Sequence, residues 1–209
     1  MIHDIVYASC YVYSPTGAGE MCELSRLLRE RLKAGDARFM LKYALRVREQ
    51  ARRSPPLAGF FGAADVLVPV PGSAPHVAGQ LWAAEELAAA LINEGLGGAA
   101  WNGLRRVRAV HKSATAPPGG RPTVELHYDS FRVEQPDSPP GNVVLIDDVV
   151  TKGRTLLAAA WRVQEAFPCA QVRAFALLRT MGRVCVVRQL LAPCKGEIRW
   201  RRGDAHRCP

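Results

Sequence analysis

Val143-Val144-Leu145-Ile146-Asp147-Asp148-Val149-Val150-Thr151-Lys152-Gly153-Arg154-Thr155 is the stretch from which the rest of the chain can be read. Its first four residues are an unbroken apolar run, which predicts a strand covered on both faces in a parallel sheet. Asp147 and Asp148 then set two carboxylates at the C-terminal end of that strand, the edge at which open α/β sheets take up ligands. A short turn follows, and the pattern from Thr155 to Phe167, stopped at Pro168, predicts a helix. Free N–H groups and the helix dipole at its start attract an anion. Gly153 would let the backbone come close to a phosphate, and Thr151 and Thr155 can add hydroxyl donors. One end of the stretch therefore wants a phosphate, and the other wants hydroxyls or a hydrated divalent cation. The two ends are about one sugar apart, which describes a ribose 5-phosphate site.

Outward from this stretch, strands and helices alternate. Residues 171–178 predict another buried strand, as do Asp65 to Pro71 and the β-branched and aromatic run Ile5 to Tyr13. Residues 20–33 carry Met21, Leu24, Leu27, Leu28 and Leu32 at helical spacing, and residues 37–51 predict a second, very basic helix. Residues 78–92 predict an alanine-rich helix with Leu81, Leu87, Leu91 and Ile92 on its apolar side. Residues 104–123 predict an exposed basic loop, and the alternation of Val124, Leu126 and Tyr128 predicts a strand over 124–133. This order argues for a parallel sheet flanked by helices, an α/β fold.

The Val143–Thr155 stretch strongly resembles the signature of type I phosphoribosyltransferases, which bind 5-phosphoribosyl-1-diphosphate (PRPP). The pattern is a hydrophobic run, two acids, two small or apolar residues, then Thr-x-Gly-x-Thr, and every position matches. The resemblance implies a Rossmann-like core with a small variable hood. It implies that Asp147 and Asp148 are the catalytic pair, contacting the ribose hydroxyls directly or through water on Mg²⁺. Thr151, Lys152, Gly153, Arg154 and Thr155 would hold the 5-phosphate, with Lys152 and Arg154 acting through their backbone. A P-loop is excluded, because Gly-x-x-x-x-Gly-Lys-Ser/Thr does not occur at this site.

Val68-Pro69-Val70-Pro71-Gly72-Ser73 resembles the pyrophosphate-binding loop of the same superfamily, in the form found in the ComF (competence protein F)-like branch. By that resemblance Val70, Pro71, Gly72 and Ser73 line the diphosphate. ComF-like chains continue with basic residues, whereas this chain continues from Ala74 to Ala78 with His76 as the one nearby cation. In type I enzymes a mobile loop carries cations over the pyrophosphate; Arg108, His111, Lys112 and Arg121 occupy the corresponding place. The resemblance covers residues 60–180 best, within a phosphoribosyltransferase-like domain of residues 1–180, and leaves 181–209 as a basic C-terminal segment. ComF proteins often carry an N-terminal cysteine zinc module, which this chain lacks.

Composition fits this picture. At 209 residues the chain suits one α/β domain, and 48% hydrophobic residues suffice for a sizeable core. A charged share of 22% argues against global disorder. The formal net charge of +9 suits phosphorylated small molecules or nucleic acid as partners. With neither signal-peptide pattern nor membrane-spanning run, a cytoplasmic protein with reduced thiols is expected, not a membrane partner. Cys185, Cys194, His206 and Cys208 lack zinc-site spacing. The tail Arg199-Trp200-Arg201-Arg202 is basic with an aromatic, and a frayed terminus is expected. The implied partners are PRPP with Mg²⁺, an acceptor such as a nitrogen base or amine, and a possible second copy in a homodimer. A non-catalytic PRPP or nucleotide sensor and a ComF-like DNA-associated accessory protein remain as alternatives.

Overall fold

The computed structural model describes residues 2–77, 79–111, 120–182 and 186–209. The expected central strand, β6 (Asn142–Val150), lies inside a seven-stranded sheet of order β3-β2-β6-β7-β1-β8-β9. Its parallel neighbours are β2 (Val66–Pro69) and β7 (Gln171–Thr180), and β7 is parallel to β1 (Asp4–Tyr13). A short β3 (Ala99–Ala100) closes one edge in parallel with β2. The fold is therefore α/β, with five parallel strands and an antiparallel extension.

Residues of β6 alternate between two cores, which is why its sequence is apolar without a break. Val143 and Leu145 pack on the side of α5 (Arg154–Ala166), among Leu156, Leu157 and Trp161. Val144 and Ile146 face α1 (Glu20–Ala34), α2 (Ala37–Arg53) and α3 (Ala83–Asn93), among Leu32, Met40 and Leu87. The Asp36 carboxylate caps α2 by accepting from the amides of Arg38 and Phe39. The strand also runs four residues further than the apolar run, because Asp147 pairs with Ala176 and Val149 with Leu178. The two acids thus lie within the ladder, near its C-terminal end.

Three expectations change. Residues 124–130 form a helix, α4 (Val124–Ser130), and only Phe131–Val133 extends, as β5, paired with β4 (Leu104–Arg106). The Thr123 hydroxyl accepts from the amide of Leu126, and the buried residues Val124, His127 and Ser130 recur every three positions, a helical face. Leu126, whose place in the alternation suggested a strand, is 56% exposed. The helix expected from residue 78 begins at Ala83, leaving Leu81 outside it and 46% exposed.

The third change concerns the tail. In place of a frayed end, β8 (Leu191–Arg201) and β9 (Asp204–Cys208) form a hairpin, with β8 antiparallel to β1. Arg202 and Gly203, both at positive φ, make the two-residue turn that matches strand twist. Ile198 and Ala205 point inward, and the tail's charged residues alternate with them. The sheet thus continues past residue 180. No helix among the described residues is long and apolar enough to cross a membrane.

Candidate functional site

Strands β2 and β6 are neighbours in parallel, Pro69 opposite Ile146, so the turns that follow them emerge side by side. The amide of Val70 donates to the carbonyl of Ile146 at 2.8 Å, fixing the start of the 70–73 turn beside the acids. From β6 the chain turns through Thr151 to Gly153 and enters α5. Gly153 is the N-cap at φ 89, and no side chain caps the helix. The first-turn amides of α5 thus have no intrahelical acceptors, and the positive end of its dipole lies at this edge.

The acids are not equivalent. Asp148 is buried, and its carboxylate forms an ion pair with Lys33 from the end of α1. Its Oδ1 also accepts from the amide of Val149 at 2.9 Å. Burial pushes the Asp148 carboxyl up, but Lys33 and the hydrogen bond from Asp147 outweigh it and hold it below the usual range. Asp147 is half-buried, and its Oδ1 accepts from the amide of Asp148 at 2.8 Å. Burial, and then the charge of Asp148, raise it well above the usual range. Of the two, Asp147 is the more readily protonated and Asp148 the more firmly ionised. Among the described residues no cluster of three or more His, Cys, Asp or Glu side chains is ready to hold a metal ion. Two adjacent carboxylates do fit the mode in which Mg²⁺ rests on one or two protein oxygens, water and substrate phosphates.

Around the turn after β6, side-chain charge is already committed. Asp204 at the start of β9 accepts from Lys152 Nζ at 2.9 Å and from Arg154 Nε and Nη2 at 2.5 and 2.7 Å. Those hydrogen bonds, chiefly from Arg154, hold its carboxyl far below the usual range against the upward push of burial. Arg207 donates from Nε to the Thr151 carbonyl at 2.8 Å. The Thr151 and Thr180 hydroxyls meet at 3.0 Å. With Lys152 and Arg154 engaged by Asp204, what the turn leaves free to receive an anion is its backbone. The bare Cα of Gly153, expected to face a ligand, faces β8 instead: a Cβ there would meet three Ile198 atoms at 2.7–2.8 Å.

On the neighbouring turn, Val70 and Pro71 are buried, Gly72 is exposed and Ser73 half-exposed. The cation there is Arg106 of β4; His76 lies against Trp82, ring centroids 5.4 Å apart. Arg106 is only 4% exposed. It donates to the Gly72 carbonyl, to the Ser130 hydroxyl and, at 3.4 Å, to the Pro71 carbonyl. It also lies 3.4 Å from His127 Nδ1 and stacks 4.2 Å from the Phe131 ring centroid. On the other side of the imidazole, His127 Nε2 is 3.5 Å from the Thr155 hydroxyl. Burial, then the charges of Arg106 and Arg154, drive the His127 pKa down to about 4, so the ring is neutral at pH 7. A chain of contacts thus joins the 70–73 turn to the start of α5. A pocket of about 200 Å³ opens beside it, lined by Pro71, His76, Trp82 and Arg106 among others.

Of the expected loop cations, Arg108 and His111 are exposed, and Arg108 donates to the Asp129 carbonyl at 3.2 Å. Arg121 is exposed, and its carbonyl accepts from Arg154 at 3.4 Å. Lys112 lies outside the described residues. Lys33 and Asp204 join the site from elements that no motif marks; Arg106, expected in an exposed loop, is instead buried in β4, and His127, expected on a strand, is on α4. No family model matches this chain, and no curated protein matches it either.

Proposed function

We propose that this chain binds PRPP together with Mg²⁺ and transfers its 5-phosphoribosyl group to a nitrogen base or amine, releasing pyrophosphate. One observation carries the reading. Two segments separated by some seventy residues, each resembling one half of a PRPP site, leave adjacent parallel strands at the same edge of the sheet. The amides at the start of α5 take the 5-phosphate. Asp147 and Asp148 take the ribose hydroxyls, and residues 70–73 take the diphosphate. Mg²⁺, when bound, neutralises charge on the diphosphate. The rest of the task is positioning: the leaving group is held by fixed donors while positive charge develops at the anomeric carbon. Ionised Asp148 and the neighbouring Asp147 sit where they would stabilise that charge.

A sensor that binds PRPP without turning it over is the second reading. It is favoured by the prior engagement of Asp148 with Lys33 and of Lys152 and Arg154 with Asp204. Calorimetric titration with PRPP and Mg²⁺ tests what both readings share. Saturable binding that collapses in the Asp147→Asn, Asp148→Asn double variant, with the circular dichroism spectrum retained, supports them. Unchanged binding in that variant, or none in the wild type, overturns them. Pyrophosphate release from PRPP with a panel of bases then separates transferase from sensor.

A further inference from the structure

We propose that Arg106 holds the 70–73 turn in its diphosphate-receptive form, turning the N–H groups of Gly72 and Ser73 outward as donors. The inference rests on the PRPP reading and assigns a positioning residue to it. A trans peptide points its carbonyl and the next residue's N–H in opposite directions. The chain has no cis peptide among the described residues, and the guanidinium of Arg106 draws in the carbonyls of both Pro71 and Gly72. The amides of Gly72 and Ser73 must then face away from Arg106. Neither has an acceptor among the described residues. Gly72 is exposed, and nothing lies within 4 Å of where its Cβ would be, so the outer side of the turn is open. Two successive outward amides form an anion-binding concavity.

Charge argues the same way. Every hydrogen-bonding contact of Arg106 is neutral, namely two carbonyls, a hydroxyl and an imidazole, and it has no ion pair among the described residues. A buried cation without an ion-pair partner is expensive, and the charge of Asp147 offsets that cost only in part. Here a polyanionic ligand on the far side of the turn would supply the missing charge. Arginine suits the place because its planar fork can hold two carbonyls at once, which a lysine ammonium does less well.

The test is calorimetry of Arg106→Gln and Arg106→Lys with two probes, inorganic pyrophosphate and ribose 5-phosphate, each with Mg²⁺. Loss of charge-assisted hydrogen bonding predicts pyrophosphate binding about 10- to 100-fold weaker in Arg106→Gln. Ribose 5-phosphate binding should be little changed, and Arg106→Lys should fall between. Equal weakening of both probes would mark Arg106 as a general structural support and overturn the proposal, as would wild-type pyrophosphate affinity in Arg106→Gln. A second measurement needs no variant. On pyrophosphate titration of the wild type, the amide resonances of Gly72 and Ser73 should shift downfield; if they stay in place the proposal fails. Should the wild type bind ribose 5-phosphate while its Gly72 and Ser73 amides ignore pyrophosphate, the Arg106 inference fails and the sugar-phosphate site survives. Binding of neither probe overturns both.

Discussion

Replacing Gly153 with alanine probes the junction between the turn after β6 and the C-terminal hairpin. Two penalties apply. At φ 89 an L-residue is in the left-handed region, which costs about 1–2 kcal/mol. The new methyl would also sit 2.7–2.8 Å from three atoms of Ile198, a fully buried side chain. Overpacking of this kind costs about 1–3 kcal/mol. Together they predict destabilisation of about 2–5 kcal/mol, or roughly 5–20 °C in melting temperature for a chain of this size. Urea unfolding of the wild type, Gly153→Ala, Ile198→Ala and the double variant separates the two terms. Ile198→Ala alone should cost about 2–5 kcal/mol. In the double variant the clash is gone and only the dihedral penalty persists, so its loss should fall short of the sum by about 1–3 kcal/mol. Additivity within about 0.5 kcal/mol would show that β8 is not packed on the turn, and would refute the argument.

Three further outcomes follow from the charges. His127, with its folded pKa near 4, binds fewer protons than the unfolded chain between there and about 6.5. Its titration therefore destabilises the fold as pH falls through that window, by on the order of 3 kcal/mol at the acid end. In urea melts at pH 7 and pH 5, His127→Gln should show a shallower pH dependence than the wild type. Lys33→Met leaves the Asp148 carboxylate buried without its cation, so it should destabilise by about 1–3 kcal/mol at pH 7. Asp148 is held low in the folded chain, so its share of stability is present above about pH 4 and disappears in stronger acid. The gap between Lys33→Met and the wild type should close accordingly in an acid titration followed by circular dichroism. Asp204→Asn withdraws the counter-charge from Lys152 and Arg154. Thermal melts should show lower stability, while calorimetry with inorganic phosphate should show tighter binding.

The parallel core was legible because its strands advertise themselves. Val143–Ile146 is apolar without interruption, and the following acids, turn and helix keep a strict order in the chain. Long-range pairing was not. Nothing local ties Arg106 to Pro71 and Gly72, or Lys33 to Asp148, across separations of 35, 34 and 115 residues. Such contacts arise from topology, which brings β4 and the end of α1 to the same sheet edge. Residues 124–130 misled for another reason. Two-residue alternation and three-residue recurrence coincide over seven positions, and the Thr123 cap decides between them. The tail hides its hairpin under basic residues. Its decisive signals, the Arg202-Gly203 turn and the inward Ile198 and Ala205, are weak beside a run of arginines.

The place of β1 in the sheet bears on how the chain is made. β1 lies between β7 and β8, so neither of its ladder partners exists until synthesis has passed Gln171. At about 5–20 residues per second, a strand finished at Tyr13 waits roughly 10–30 s for its first neighbour. Meanwhile a ten-residue segment, seven of whose side chains end up buried, presents unpaired peptide groups. A segment of this kind readily joins the wrong partner while it waits. The nascent chain is thus exposed to self-association at β1, and the hairpin that docks on the turn after β6 is also what finally ends that exposure.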